Sequence, residues 1–283
     1  MSGEDADGTP GTEEKGERTM PAFDEGAPCW ADVALPDLAA GKRFYGELFG
    51  WDFEDQGEDF GHYTLALRDG KAAAGLMPAP DPAAATGWTV YLASPDAKAA
   101  AARVAEAGGR LLFGPDGAGE SGVMAGAADP TGALFGVWQA GGLQGFGVTE
   151  VPGSFCWAET WTREPAEVDR FYGAVFGYRA EQVGDGQHFD YTVWSLPSDP
   201  ARKFGGRLAL GADTPGEVPE GFRVYFAVAD CDAAVAAVRR LGGKVPREPQ
   251  DSPQGRVAFV TDDRGTPFTI IDRERKVGSM EGS

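Results

Sequence analysis

Apolar residues follow two different periods along this chain, and each period predicts a different kind of element. Apolar runs such as residues 29–34 and 89–93 are typical of strands, because strand side chains point to alternate faces. Between such runs, apolar residues recur at helical spacing; one of these segments begins near Asp37, a capping residue, and stops at Gly50. The order strand, helix and three strands occurs four times, which predicts four βαβββ modules.

The predicted elements divide evenly between the two halves of the chain. The first half has strands at about 29–34, 51–55, 62–67, 72–77, 89–93, 110–113, 122–127 and 133–138, with helices near 38–49 and 97–107. The second half has strands at about 155–161, 178–183, 188–195, 204–210, 222–228, 244–247, 256–261 and 267–272, with helices at 164–176 and 232–241.

The two halves are copies of one another. Cys29 and Trp30 recur 127 residues later as Cys156 and Trp157. A fixed offset of this kind indicates a tandem duplication. We therefore predict five segments: an acidic disordered tail (1–25), a first domain (26–140), a glycine-rich linker (141–151), a second domain (152–275) and a short C-terminal tail (276–283).

Charge and composition narrow the possible partners. The 283-residue chain has a formal net charge of −19, which repels nucleic acid and anionic membranes. Residues 1–25 hold eight acidic and two basic side chains with few apolar ones, hence the predicted disorder. The three cysteines form no CxxC pair and fit reduced thiols. With neither a secretory pattern nor a membrane-length apolar run, we expect a cytoplasmic protein.

The modules resemble the vicinal oxygen chelate superfamily of glyoxalase I, extradiol dioxygenases and bleomycin-resistance proteins. The residues that carry the likeness are 35–38 (LPDL), 44–51 (FYGELFGW) and 129–139 (DPTGALFGVWQ), with 171–178 (FYGAVFGY) and a weaker 262–271 in the second copy. The nearest likeness is to tandem glyoxalase-like proteins of actinobacteria. The resemblance implies an α+β fold of two tandem glyoxalase/bleomycin-resistance-type domains, each curled into a cup.

In that superfamily a divalent metal sits in the cup on His and Glu ligands from three strands. Counting from the motifs places those ligand positions on Trp30, Thr89 and Gly136 in the first copy and on Trp157, Arg223 and Thr269 in the second. Indole, glycine and guanidinium do not bind a hard cation, and the chain has only two histidines. We therefore predict no metal and no cofactor.

Other side chains share a strand face with these positions. By alternation, Asp32 lies beside Trp30 and Glu159 beside Trp157, while Tyr91 and Tyr225 lie beside Thr89 and Arg223. An indole, an acid and a phenol in each cup suit a flat aromatic ligand. The alternative is that the tryptophans only fill the core where a metal once sat. Asp32 could also be paired with an arginine.

Three further residues each have two possible roles. His62 and His188 stand at nearly equivalent places and are candidate general bases, although we prefer a role at a strand end bonded to backbone. Arg223 has no equivalent arginine in the first copy. It could clamp an anionic ligand or neutralise Glu159, and we favour the second, which would make the second cup the less open one.

Three functions follow from these residues. The first is a metal-independent protein that sequesters or detoxifies an aromatic or reactive metabolite. The second is a metal-free enzyme of secondary metabolism, a hydroxylase, isomerase or lyase, with Asp32 or Glu159 as base and Tyr91 or Tyr225 as proton donor. The sequence argues against the third, a metal-dependent lyase or dioxygenase. Because tandem copies mimic a two-subunit assembly, we expect a monomer or weak homodimer.

Overall fold

The computed structural model describes residues 23–83, 87–186 and 189–278. In the first half, strands β1–β8 are Pro28–Leu35, Asp52–Asp55, Thr64–Arg68, Lys71–Pro78, Trp88–Ala93, Arg110–Gly117, Gly122–Ala128 and Leu134–Ala140. In the second half, strands β9–β16 are Phe155–Thr162, Arg179–Val183, Tyr191–Ser195, Lys203–Ala209, Gly221–Ala227, Gln250–Ser252, Gly255–Thr261 and Pro267–Asp272. The helices are α1 (Leu38–Phe49), α2 (Ala97–Glu106), α3 (Pro165–Phe176) and α4 (Cys231–Arg240).

The helix ends follow their local sequence. Asp37 caps α1 by accepting a hydrogen bond from the Ala40 amide at 2.9 Å, and Asp96 and Asp230 cap α2 and α4 in the same way. Gly50 ends α1 with a φ of 70°, a left-handed conformation that glycine adopts at little cost. The capped, amphipathic segments that the sequence indicated are thus the helices of the fold.

Each half of the chain forms one eight-stranded sheet. The strand order is β2-β3-β4-β1-β5-β8-β7-β6 in the first half and β10-β11-β12-β9-β13-β16-β15-β14 in the second. The two orders are the same when counted from the start of each half. This confirms the predicted α+β fold of two tandem domains built from four βαβββ modules.

The two faces of each sheet carry different side chains. On β1, Cys29, Ala31 and Val33 are fully buried on the face covered by the helices. Trp30 and Asp32 alternate with them and lie on the opposite, concave face. We call the concave face of the first sheet cup 1 and that of the second sheet cup 2.

The two domains pack against each other through reciprocal contacts. The Tyr45 hydroxyl donates to Asp262 at 3.0 Å, and its counterpart Tyr172 donates to Asp129 at 3.3 Å. All four side chains are buried. Because each contact has an equivalent in the other direction, the interface has the form of a two-fold symmetric dimer within one chain.

A second pair of reciprocal contacts extends this interface. The Trp51 indole donates to the Gly153 carbonyl at 2.6 Å, and the Tyr178 hydroxyl donates to the Gly26 carbonyl at 2.5 Å. Helix α1 also contacts α4, and α2 contacts α3. The FYG and FGW/FGY motifs of the sequence therefore hold the two domains together.

The strand predicted at 244–247 is wrong. Lys244 makes only an isolated bridge with Thr261, and the edge strand β14 forms later, at Gln250–Ser252. Pro246 and Pro249 account for the shift, because proline has no N–H to donate to a neighbouring strand.

Candidate functional site

A chain of hydrogen bonds crosses the floor of cup 1. The Trp30 indole N–H donates to the Tyr63 hydroxyl at 2.7 Å, and that hydroxyl donates to Asp32 Oδ2 at 3.2 Å. The hydroxyl of Tyr91, which pairs with Trp30 across the strands, also bonds the Asp32 carboxyl. Only 4% of Asp32 is exposed, so phenols rather than water satisfy this acid.

Cup 2 repeats this chain with a glutamate in place of the aspartate. The Trp157 indole donates to the Tyr191 hydroxyl at 3.0 Å, which donates to Glu159 Oε2 at 2.8 Å. The Tyr225 hydroxyl donates to Glu159 Oε1 at 2.6 Å. Each cup therefore contains a tryptophan, two tyrosines and an acid, which we call the Trp-Tyr-acid-Tyr network.

A glycine on the neighbouring strand makes room for each network. Gly75 pairs with Asp32, and a Cβ atom at Gly75 would lie 1.9 Å from the Tyr63 hydroxyl. In cup 2, Gly206 pairs with Glu159, and a Cβ atom there would lie 2.5 Å from the Tyr191 hydroxyl. The close approach of phenol to acid thus requires a residue without a side chain at this position.

The buried acid of cup 1 has an unusual proton affinity. Burial raises the pKa of Asp32 from 3.8 to about 7, and hydrogen bonds from Tyr91 and Tyr63 limit the rise. The same burial, together with the nearby carboxyl charge, raises the pKa of both tyrosines well above 10. Asp32 is therefore the group of this network that exchanges a proton near neutral pH, while the phenols remain hydrogen-bond donors.

The structure also locates the other positions that the resemblance implied as metal ligands. In cup 1, Gly136 pairs with Tyr91, and a Cβ atom there would lie 2.1 Å from the Tyr91 ring. In cup 2, Thr269 pairs with Tyr225 and is fully buried, and Arg223 pairs with Glu159. The two sets of positions thus lie on the cup floors.

These side chains do not fit a divalent cation. The Trp30 indole N–H is a donor already bonded to Tyr63, Gly136 has no side chain, and Arg223 is itself a cation. Among residues 23–83, 87–186 and 189–278, no three His, Cys, Asp or Glu side chains come together as a metal would require. In each cup, one of the implied ligand positions is held by the tryptophan of the network, whose N–H is a hydrogen-bond donor.

The remaining predicted residues lie outside these networks or are not described. His62 is half exposed, its Nδ1 atom lies 3.2 Å from Asp55 Oδ2, and its φ of 60° places it in a turn before β3. His188 lies outside the residues that the structure describes. Arg223 donates to the carbonyls of Pro219 and Phe222, and its guanidinium lies 4.9 Å above the Trp161 ring.

Sequence reasoning missed the central hydroxyl of each network, which belongs to Tyr63 and Tyr191. These two tyrosines lie 128 residues apart, close to the offset of the tryptophans. The more conspicuous recurring residues at these places are the histidines, His62 and His188. A tyrosine that recurs at the repeat offset, opposite a recurring glycine, is the signal that could have located them.

A separate cavity lies beside Trp157, where β9 begins. It has a volume of about 160 Å³ and is also lined by Phe155, Phe204 and Lys203. Typical ligand pockets start at roughly 300 Å³, so it is small for an aromatic metabolite. In cup 1, the Phe146 ring lies 5.5 Å from the ring of the equivalent Trp30.

Comparison with known proteins identifies the family that this fold and these motifs define. Residues 30–137 match the family described as the Glyoxalase/Bleomycin resistance protein/Dioxygenase superfamily, and residues 156–271 match a Glyoxalase-like domain. The chain belongs to the Glyoxalase/Bleomycin resistance protein/Dioxygenase superfamily, as the sequence motifs predicted.

Two similar relatives span nearly the whole chain. Anthracycline biosynthesis protein DauV of Streptomyces sp. (strain C5) is 37% identical over 93% of this chain and 100% of its own length. Putative glyoxylase CFP32 of Mycobacterium tuberculosis (strain CDC 1551 / Oshkosh) is 35% identical over 88% of this chain and 95% of its own. The relatives thus share both domains.

Solved structures share the fold at low sequence identity. An Mn(II)-bound glyoxalase from Novosphingobium aromaticivorans is 16% identical with a TM-score of 0.60, covering 88% of this chain and 85% of its own. The 2,3-dioxygenase LapB from Pseudomonas sp. KL28 is 15% identical with a TM-score of 0.61, covering 87% of this chain and 92% of its own.

Within the described residues, no helix is both long and apolar enough to cross a membrane.

Proposed function

We propose that this protein binds a planar aromatic metabolite in a cup and does so without a divalent metal, to sequester or detoxify it. The observation that carries the proposal is the Trp-Tyr-acid-Tyr network, which includes one implied metal-ligand position in each cup, Trp30 or Trp157, and lies on the same face as the other two. Indole and phenol rings supply flat apolar area, and the buried acid supplies a single oriented polar group. Such a floor suits a ring system with one polar edge.

The relatives support a role in secondary metabolism. One of them, DauV, is described as an anthracycline biosynthesis protein, and anthracyclines are fused aromatic ring systems. A ligand of that class matches the aromatic floor of the cups. We therefore choose a hydroxylated anthraquinone as the first probe.

A second candidate is a metal-free enzyme, and the pKa of Asp32 favours it. A group with a pKa of about 7 both accepts and donates a proton at neutral pH. In such an isomerase or lyase, Asp32 removes a proton from the ligand and Tyr91 donates a hydrogen bond to the oxygen that gains charge. The proton on Asp32 then returns to the product or to water.

One experiment separates these two candidates. EDTA-dialysed protein is titrated with 1,8-dihydroxyanthraquinone while tryptophan fluorescence is recorded, and the compound is then recovered and compared by mass and chromatography. Binding with an unchanged compound supports sequestration. A changed compound, with turnover lost in Asp32→Asn while binding persists, supports the enzyme. Binding that requires an added divalent metal would refute the metal-independent proposal.

A further inference from the structure

The two cups share the network but differ at two matched positions. Trp161 follows Glu159 by two residues on β9, and the residue at the same place on β1 is Ala34. Arg223 pairs with Glu159 on β13, and the residue that pairs with Asp32 on β5 is Thr89. Cup 2 thus has a large indole and a guanidinium where cup 1 has a methyl group and a small hydroxyl.

In cup 2 these two large side chains form a stack on the acid. The Trp161 indole N–H donates to Glu159 Oε1 at 2.6 Å, and the Arg223 guanidinium carbon lies 4.9 Å from the ring centre. The Phe259 ring meets Trp161 edge-on at 5.2 Å. Hydrogen bonds from Arg223 to the Pro219 and Phe222 carbonyls hold the stack in place.

In cup 2, side chains of the protein itself provide the hydrogen bonds that the acid accepts. Glu159 accepts hydrogen bonds from the hydroxyls of Tyr191 and Tyr225 and from the Trp161 indole. Its carboxylate has a charged side chain nearby as well, because Arg223 interacts with it electrostatically. A ligand would have to displace an indole and a guanidinium to reach this carboxylate.

Cup 1 lacks both parts of the stack. Asp32 receives hydrogen bonds from Tyr63 and Tyr91, and the short side chains of Ala34 and Thr89 provide neither an indole donor nor a guanidinium beside it. Large apolar side chains are exposed on this sheet and its loops, namely Phe60 (50%), Phe113 (46%) and Leu134 (55%). Phe113 lies against Gly126, which pairs with Gly136, so this exposed ring is on the face of cup 1.

We propose that cup 1 alone takes the ligand, and that Trp161 of cup 2 shows what that ligand is like. This inference rests on the proposed binding function. The ligand is a planar fused aromatic with one O–H or N–H on its edge. That group donates to Asp32, as the Trp161 indole donates to Glu159. The ligand ring occupies the space above Ala34. The Thr89 hydroxyl faces this ring, as Arg223 faces the Trp161 ring in cup 2.

The first test needs no ligand and asks which cup is open. Leu65 and Val193 hold matched places, opposite Gly75 and Gly206 on the cup faces. Leu65→Cys and Val193→Cys are reacted with DTNB; the native cysteines are buried and contribute little. We expect the cysteine in cup 1 to react at least about tenfold faster. Adding Trp161→Ala should accelerate the cysteine in cup 2. Equal rates before that change would overturn the inference.

The second test uses 2-naphthol and its methyl ether, 2-methoxynaphthalene, which lacks the donor. Calorimetry should show one 2-naphthol site per chain and about tenfold weaker binding of the ether, the loss of one hydrogen bond. Ala34→Trp should reduce 2-naphthol affinity at least about 100-fold, whereas Trp161→Ala combined with Arg223→Thr should add a second site. Because the second variant gains a site, misfolding cannot produce its expected result.

The outcomes separate this inference from the proposed function. If 2-naphthol still binds the Ala34→Trp variant but no longer binds the Trp161→Ala, Arg223→Thr variant, the assignment to cup 1 is refuted. The proposed binding function still stands in that case. Equal affinities for 2-naphthol and its ether refute the edge donor. No binding of either naphthalene or of the anthraquinone to wild-type protein refutes both the inference and the proposed function.

Discussion

Replacing Asp32 by asparagine tests whether this acid is protonated in the folded protein near neutral pH. In the native state its pKa is about 7, while the ordinary value of 3.8 applies when the chain is unfolded. Between these values the folded state keeps a proton that the unfolded state releases. The free energy of unfolding therefore falls with pH by about 1.4 kcal/mol per unit in that window. The stabilisation is complete below pH 3.8 and is lost as pH rises through 7.

The magnitude follows from the two pKa values. The full interval corresponds to about 4 kcal/mol, and the part between pH 5 and pH 7 corresponds to about 3 kcal/mol. Asp32 is 4% exposed, so solvent screening does not reduce this figure much. Asparagine keeps an oxygen for the tyrosine hydroxyls but does not ionise. The stability of Asp32→Asn relative to wild type should therefore rise by about 3 kcal/mol from pH 5 to pH 8.5.

Urea unfolding of both proteins at several pH values measures this difference. Asp213→Asn, a change at an exposed aspartate, is the matched control and should alter stability by less than about 0.5 kcal/mol. Infrared spectroscopy gives an independent reading, because the carboxylic acid band of Asp32 should disappear in the variant. A stability difference that stays constant within about 0.5 kcal/mol across the range would refute the reasoning.

Four further predictions concern the scaffold. Arg207 is buried and paired with two aspartates, so Arg207→Ala should cost about 3 kcal/mol by denaturant unfolding; a loss below about 1 kcal/mol would contradict this. Gly75→Ala should cost about 2 kcal/mol, because the new Cβ displaces the Tyr63 hydroxyl, and it should weaken probe binding. Tyr45→Phe removes one bond to Asp262 and should cost about 1 kcal/mol, with the fluorescence and circular-dichroism transitions still coincident. Light scattering should give the mass of one chain, since the reciprocal interface is already satisfied internally; a stable larger oligomer would argue against that.

The sequence was sufficient to predict the fold because the fold depends on repeated local signals. The period of apolar residues and the FYG motif occur in both copies and specify the same elements, and aspartates cap α1, α2 and α4. The register of β1 also followed from alternation, which placed Trp30 beside Asp32. The failure at 244–247 has a local cause, since Pro246 and Pro249 have no N–H to donate to a neighbouring strand.

The site was predicted less completely, because its key contacts join distant strands. Nothing near Tyr63 in the sequence shows that its hydroxyl reaches Asp32, 31 residues away. Gly75, which permits that approach, looks like any other strand glycine. Trp161 shares a strand face with Glu159 by alternation. Its bond to that carboxylate, and its stacking beneath Arg223, depend on the three-dimensional path of the chain.

The covalent joining of the two domains has an evolutionary consequence. In a homodimer with the same reciprocal interface, a single gene encodes both subunits, so any substitution that fills one cup fills the other. Duplication within one chain removes that constraint, because Ala34 and Trp161 are separate codons. One domain can then fill its cup with side chains that hydrogen-bond to one another and can support its neighbour structurally. The other domain can keep the small side chains that ligand binding requires.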